Sequence, residues 1–252
     1  MIIAISNQKG GVGKTTTATN LAYGLQLLGK KVLLVDSDPQ GNSTDTWRAD
    51  VSPGIATLSD LLFYDEPLEN CIQHTEIGDI LAADEVLEEA EARLAGVTGY
   101  FRLRNRLAPL KSVYDYIIID TPPNLGILLQ NALIAADGII VPITSSKYAA
   151  DGMARFIRTV IEVKSEPNPN LKVMGLLLTK YISRKVLAKD MKEALPEIMS
   201  QLGTGIFETE IRLDEAIEQS QAVSVPVKLY APKARATEDY MNFAKEIDGG
   251  NW

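Results

Sequence analysis

The residues best placed to do chemistry are the run Gln8-Lys9-Gly10-Gly11-Val12-Gly13-Lys14-Thr15, directly after the apolar stretch Ile2-Ile3-Ala4-Ile5. Glycines at 10, 11 and 13 let the backbone turn tightly with its N–H groups inward, and no Cβ blocks the approach of a polyphosphate. Lys14 adds a point charge for the outer phosphates, and the Thr15 hydroxyl stands where Mg²⁺ needs an oxygen ligand. An isolated Gly-x-Gly reads as a turn; strand, Gly-Gly-x-Gly-Lys-Thr and helix in this order read as a nucleotide-binding loop. One position departs from the general pattern, because Gln8 stands where a first glycine is expected and Lys9 precedes the glycine pair. A second lysine has little room beside Lys14 on one triphosphate. Lys9 is therefore either a solvated loop residue or a charge for a different nucleotide, such as one in a neighbouring subunit.

Two further segments supply what such a loop needs. Lys31-Val32-Leu33-Leu34-Val35 is an apolar run suited to a buried parallel strand, and it ends in Asp36-Ser37-Asp38-Pro39-Gln40-Gly41-Asn42. Tyr116-Ile117-Ile118-Ile119 is a second, ending in Asp120-Thr121-Pro122-Pro123, which reads as a Walker B aspartate with a rigid turn behind it. Ligands of open parallel sheets bind outside the carboxyl ends of the strands, so Asp36, Asp38 and Asp120 are expected to converge on the loop. Phosphoryl transfer requires one aspartate to hold Mg²⁺ and another to orient the attacking water. A single aspartate at a strand end is ordinarily a cap or turn former; three beside a phosphate loop are not.

The elements that must position these groups follow from the hydrophobic pattern. The spacing of Ala18, Leu21, Ala22, Leu25 and Leu28 predicts a helix over 15–28, stopped by Gly29, with its N-terminus aimed at the phosphates. Strands are expected at 2–6, 31–36, 116–120, 138–143 and 173–179, and a short one near 206–211. Helices are expected at 127–136, 148–164, 186–202 and 236–247, with a helical and loop region over 55–110. Alternating strands and helices imply an α/β fold, a doubly wound, mostly parallel sheet. The chain has 252 residues, 46% of them hydrophobic, and no linker-like stretch divides it, so one domain over 1–252 is expected.

These residues resemble the ParA partition ATPases of the ParA/Soj/MinD superfamily, P-loop NTPases with a deviant Walker A motif. The first signature is similar to Asn7 through Thr17, the second to Val35 through Asn42 and the third to Tyr114 through Pro123. Similarity continues through Leu125-Gly126, Asn131-Ala132-Leu133, Gly175 to Tyr181 and Leu229 to Arg235. The resemblance implies an ATP-dependent homodimer in which Lys9 reaches the partner's phosphates. Lys9, Gly10, Gly11, Val12, Gly13, Lys14, Thr15 and Thr16 would bind the nucleotide, Thr15, Asp38 and Asp120 would serve Mg²⁺, and Asp38 would position or activate water, with Lys14 and Lys9 as catalytic cations. Thr179 and Lys180 correspond to the loop that approaches the nucleobase. Departures occur at Asn124, Ile182 and Ser145-Ser146-Lys147, and Glu210 to Ala216 lacks the proline-arginine-asparagine form of chromosomal members, which favours a plasmid or mobile-element protein.

The resemblance further implies nonspecific duplex DNA binding by the ATP-bound dimer, association with the nucleoid, and hydrolysis stimulated by a ParB-like centromere-binding partner. Composition pulls the other way, since a net charge of −8 does not suit a strongly basic DNA-binding domain. Two local clusters, Arg184, Lys185 and Lys189 and then Lys228, Lys233 and Arg235, are solvated surface by default and a DNA face if dimerisation gathers them. With the first strand expected from residue 2, no N-terminal helix-turn-helix extension is expected.

A MinD-like ATPase positioning a membrane or protein cargo is the alternative. Its basic amphipathic C-terminal helix is not matched by Ala236 to Trp252, which carries Glu238, Asp239, Glu246 and Asp248 against Lys245. An iron–sulfur relative would need paired cysteines, and Cys71 stands alone, as does His74. A single cysteine, no signal peptide and no long apolar span point to the cytoplasm. Over Asp84 to Glu91, the apolar Val86, Leu87 and Ala90 predict an amphipathic helix with a solvated acidic face.

Overall fold

The computed structural model describes residues 1–144, 153–182 and 189–250. Seven strands, β1 (Ile2–Ile5), β2 (Val32–Asp36), β3 (Ile72–His74), β4 (Asp79–Leu81), β5 (Tyr116–Asp120), β6 (Gly138–Thr144) and β7 (Lys172–Thr179), form one sheet in the order β3-β4-β2-β5-β1-β6-β7. All neighbours run parallel except β3 with β4. The apolar runs are continuous because both faces of the sheet are covered. In β1, Ile2 and Ala4 face one core while Ile3 and Ile5 face the other, and β5 divides Ile117 and Ile119 from Ile118 in the same way.

The first helices are α1 (Lys14–Leu27), α2 (Asn42–Thr46), α3 (Leu58–Phe63), α4 (Leu68–Cys71), α5 (Ala90–Arg93) and α6 (Arg102–Leu107). They are followed by α7 (Ile127–Ala135), α8 (Met153–Ser165), α9 (Lys189–Leu202), α10 (Glu215–Ala222), α11 (Val227–Tyr230) and α12 (Arg235–Asp248). On one face α6, α7 and α8 cover the larger core; on the other, α1 and α12 pack together so closely that a Cβ on Gly24 would sit 2.8 Å from the Ala244 methyl. The cap expected after the first helix is present: Gly29 has φ +82°, and Lys30 returns its N–H to the Leu25 carbonyl at 3.1 Å.

Three expectations change. Region 55–110 contains the hairpin β3–β4, whose three-residue strands are too short to show a period. The strand near 206–211 is reduced to isolated bridges, Leu176 with Ile206 and Tyr181 with Arg212. Between them the Glu246 carboxylate captures the N–H groups of Glu208 and Thr209, at 2.8 and 3.0 Å, which takes that stretch out of the ladder. Segment 84–91 is a 3₁₀ turn over Glu85–Glu89 leading into α5, with Leu87 and Ala90 buried and Glu85, Glu88, Glu89 and Glu91 exposed. Its solvated acidic face is as expected; its helical form is tighter. Residues 145–152, which include the departure at Ser145-Ser146-Lys147 and the first part, 148–152, of the helix expected at 148–164, lie outside the described residues.

Candidate functional site

The C-terminal ends of β1, β2, β5 and β7 meet the N-terminus of α1 around a cavity of about 380 Å³. Gly10, Gly11, Gly13, Lys14, Thr15 and Thr16 line one wall, and Asp38, Gln40, Asn42 and Pro123 line the side nearest the carboxylates. Thr179, Lys180, Ile211, Leu213, Asp214, Ile217, Gln221 and Tyr240 line the far end. The loop reaches this shape through left-handed backbone at Gly11 (φ +72°) and Gly13 (φ +89°), conformations that a side chain disfavours. Gly13 caps α1 and accepts the Thr17 N–H at 2.9 Å, leaving the earlier N–H groups of the helix to face the cavity.

Lys14 is buried, with 7% of its surface exposed. Burial lowers its pKa, opposed by the charges of Asp120 and Asp38, and its ammonium donates to the Lys9 carbonyl at 3.4 Å. Lys9 itself does not line this cavity, and its N–H is held by the Asn7 side chain at 3.0 Å. Val12 is buried in the core and contributes backbone only, its carbonyl accepting from the Thr179 hydroxyl at 2.8 Å.

The three aspartates separate into different jobs. Asp36 is wholly buried away from the cavity and accepts from the Thr44 N–H (2.7 Å), the Thr44 hydroxyl (2.9 Å) and the Asp38 N–H (3.2 Å), so it folds the loop that carries Asp38. Burial first, then the Asp120 charge, pushes its pKa up to about 8. Asp38 lines the cavity and accepts the Gln40 N–H at 3.1 Å. Asp120 is fully buried, with Oδ2 accepting from the Ser43 hydroxyl at 2.8 Å; burial raises its pKa to about 6, and the Thr15 and Ser43 hydroxyls and Lys14 hold it down. Its backbone carbonyl takes both the N–H and the hydroxyl of Ser37, at 3.0 and 2.6 Å, which locks the ends of β2 and β5 together.

Asp120 Oδ1 is buried without a hydrogen-bond partner, a costly state for a carboxylate oxygen unless a cation or water satisfies it. No group of three or more His, Cys, Asp or Glu residues among the described residues could hold a metal alone. Two carboxylates and a hydroxyl beside a phosphate loop suit Mg²⁺, which ordinarily takes one or two protein carboxylates and completes its shell with phosphate and water.

Thr179, which with Lys180 corresponds to the loop expected to approach the nucleobase, lines the cavity. Its hydroxyl is buried and lies 2.8 and 3.1 Å from the carbonyls of Val12 and Ile143, so it also fastens β7 to the phosphate loop and β6. Lys180 also lines the cavity, with a left-handed backbone (φ +52°) that is strained for a side-chain-bearing residue. Of the basic clusters, Arg184 and Lys185 and the side chain of Lys189 lie outside the described residues. Lys233 and Arg235 are exposed, and Lys228 is half-buried with its ammonium 3.4 Å from the Pro232 carbonyl. The Arg235 charge acts on Asp214, which lines the cavity, so Arg235 lies beside the cavity's far end.

The pattern of relatives agrees with this geometry. A family model described as an AAA domain matches residues 1–173. The chromosome partitioning protein ParA of Myxococcus xanthus is 38% identical over 249 residues, covering 98% of this chain and 87% of that protein. The chain belongs to the ParA/Soj family of partition ATPases. The sporulation initiation inhibitor protein Soj of Bacillus subtilis is 37% identical, covering 98% of this chain and 97% of its own length. A cobyrinic acid a,c-diamide synthase from Mycobacterium smegmatis with bound ADP and magnesium superposes with a TM-score of 0.81 at 31% identity, over 98% of this chain and 93% of that one. This ParA/Soj family member is thus an ATPase of the partition or positioning type.

Sequence reasoning missed the carboxyl-terminal half of the cavity wall. Ile217, Gln221 and Tyr240 come from α10 and α12, and the tie lines run back to α1: Gln221 Nε2 to the Thr16 hydroxyl (2.7 Å), the Val227 N–H to Asn20 Oδ1 (2.8 Å), and Tyr240 with Thr17 (3.5 Å). The start of α10 was signalled by Asp214, an N-cap that accepts the Ala216 N–H at 3.1 Å. Nothing in the local pattern announced Gln221. Cys71 is buried, and burial pushes its thiol up to about 11, which fits a core residue and not a ligand. No described helix is long and apolar enough to cross a membrane.

Proposed function

We propose that the chain is one Mg²⁺-dependent ATPase domain that partitions DNA, dimerising on ATP, holding duplex nonspecifically and being reset by a partner that stimulates hydrolysis. One observation carries the reading: Lys14, charged against Asp38 and Asp120, sits in a glycine cradle at the N-terminus of α1, where helix dipole and N–H groups favour phosphate. The Thr15 hydroxyl, Asp120 and Asp38 would hold Mg²⁺, which when bound neutralises charge on the transferring phosphoryl group. Asp38, on a loop braced by Asp36 and Thr44, would orient the attacking water. Lys9, outside its own cavity, is assigned to the nucleotide of the second copy.

The DNA step rests on the exposed Lys233 and Arg235, the latter beside the cavity-lining Asp214, with Lys228, Arg184, Lys185 and Lys189 as further candidates. The membrane alternative is disfavoured because α12 buries Ala236, Tyr240, Phe243, Ala244 and Ile247 in the core against α1. The test is duplex binding by fluorescence anisotropy across a salt series with ATP, ADP or no nucleotide. The expected result is ATP-dependent binding that weakens steeply with salt and shows little sequence preference. Lys233→Glu and Arg235→Glu should weaken binding to all sequences alike and lower the salt slope by about one unit each or more. An ATP dimer with no affinity for duplex at low salt would shift the cargo from DNA to protein.

A further inference from the structure

Thr16 is the third residue of α1, lines the cavity, and is 9% exposed. Its hydroxyl oxygen accepts from Gln221 Nε2 at 2.7 Å, across 205 residues of sequence. A hydroxyl has one proton and two lone pairs. With a lone pair held by an amide N–H, and no acceptor for the proton among the described residues, the O–H is free to turn into the cavity. The other side chains of this helix end are committed differently: Thr17 meets Tyr240, and Thr19 and Asn20 return donors to the carbonyls of Thr15 and Thr16. Tethering α10 to α1 does not require the Gln221 contact, since the Val227 N–H on Asn20 Oδ1 already joins the following segment to the same helix at 2.8 Å. Ser220, one residue before Gln221, is buried near the end of α10, while Gln221 is exposed and lines the cavity.

We propose that Gln221 is a positioning residue for the nucleotide phosphates: its amide polarises and orients the Thr16 hydroxyl so that this hydroxyl presents its proton, and not its lone pair, to an anionic oxygen in the cavity. The proposal rests on the nucleotide reading above. It gives the wall built by the carboxyl-terminal half of the chain a part in phosphate affinity, acting through a residue of the phosphate loop helix.

The test is a double-mutant cycle on ADP binding in the presence of Mg²⁺, measured by titration calorimetry. Gln221→Ala and Thr16→Val are each expected to weaken ADP by roughly tenfold, the scale of a hydrogen bond to a charged group. The double variant should be no weaker than Thr16→Val alone, because Gln221 acts only through that hydroxyl. Additive losses would mean that Gln221 touches the nucleotide itself or acts elsewhere, and would overturn the proposal. Gln221→Met fills the same space without a donor and should bind as weakly as Gln221→Ala; wild-type affinity in that variant would show that packing alone matters and would equally overturn it. Thermal unfolding of each apo variant checks that the fold is intact. Lys14→Ala separates the two readings: if it binds ADP normally, the phosphate-loop assignment fails, whereas its loss of binding beside an unaffected Gln221→Ala removes only the role given to Gln221.

Discussion

The Thr179 hydroxyl donates to the Val12 carbonyl at 2.8 Å and lies 3.1 Å from that of Ile143, so the end of β7 is fastened to the phosphate loop inside the protein, out of reach of solvent. Thr179→Val keeps the shape and deletes the donor, leaving buried carbonyls without it. Urea unfolding of the apo protein should show a loss of about 1–3 kcal/mol. ADP affinity should fall as well, because the loop loses its anchor; unchanged stability and affinity would mean that the contact carries no weight.

Lys14→Ala removes a buried cation whose charged form is disfavoured by burial, so the fold should survive. Nucleotide binding and turnover should disappear together. Calorimetric titration with ATP and a phosphate-release assay are the measurements, and ordinary values in a folded variant would sink the assignment of the loop.

Asp38→Ala should separate binding from turnover. The variant loses the group assigned to water while the glycine cradle, Lys14 and Thr15 stay in place, so ATP should be retained and hydrolysis should fall by two orders of magnitude or more, on the order expected for a positioned acid–base group. Light scattering with ATP is expected to show an accumulated dimer. A monomer, or normal phosphate release, would refute the role.

Proton linkage gives a fourth expectation. Burial raises Asp36 from 3.8 to about 8 and Asp120 to about 6, so the folded apo protein holds protons that the unfolded chain has released. These two groups therefore make apo stability fall as pH rises from about 4 towards about 8, and their effect levels off above that. A divalent cation on Asp120 favours its carboxylate form, so Mg–ADP binding near pH 6 should release protons and tighten as pH rises. Calorimetry in two buffers of different ionisation enthalpy measures the release, and Asp120→Asn should release less; equal release would exclude Asp120 as the source.

The chemistry of this protein was written locally. Glycines, Lys14, Thr15 and the aspartates at the ends of two apolar runs are contiguous signals, because a phosphate loop is a property of one strand, one turn and one helix start. The parallel sheet followed from apolar runs too continuous to have a solvent face. What the sequence left open is whatever depends on residues far apart in the chain. Asp36 and Asp38 are two residues apart and look equivalent, yet one turns inward to Thr44 and the other lines the cavity, a division fixed by how the loop closes over β2. The strand expected near 206–211 was undone by Glu246, nearly forty residues downstream, which removes two N–H groups from the ladder. The tie from the Thr179 hydroxyl to the phosphate loop exists only once β7 lies beside that loop, and Gln221 acquired a partner only when α10 folded back onto α1, since a hydrogen bond spanning 205 residues leaves no trace in any local pattern.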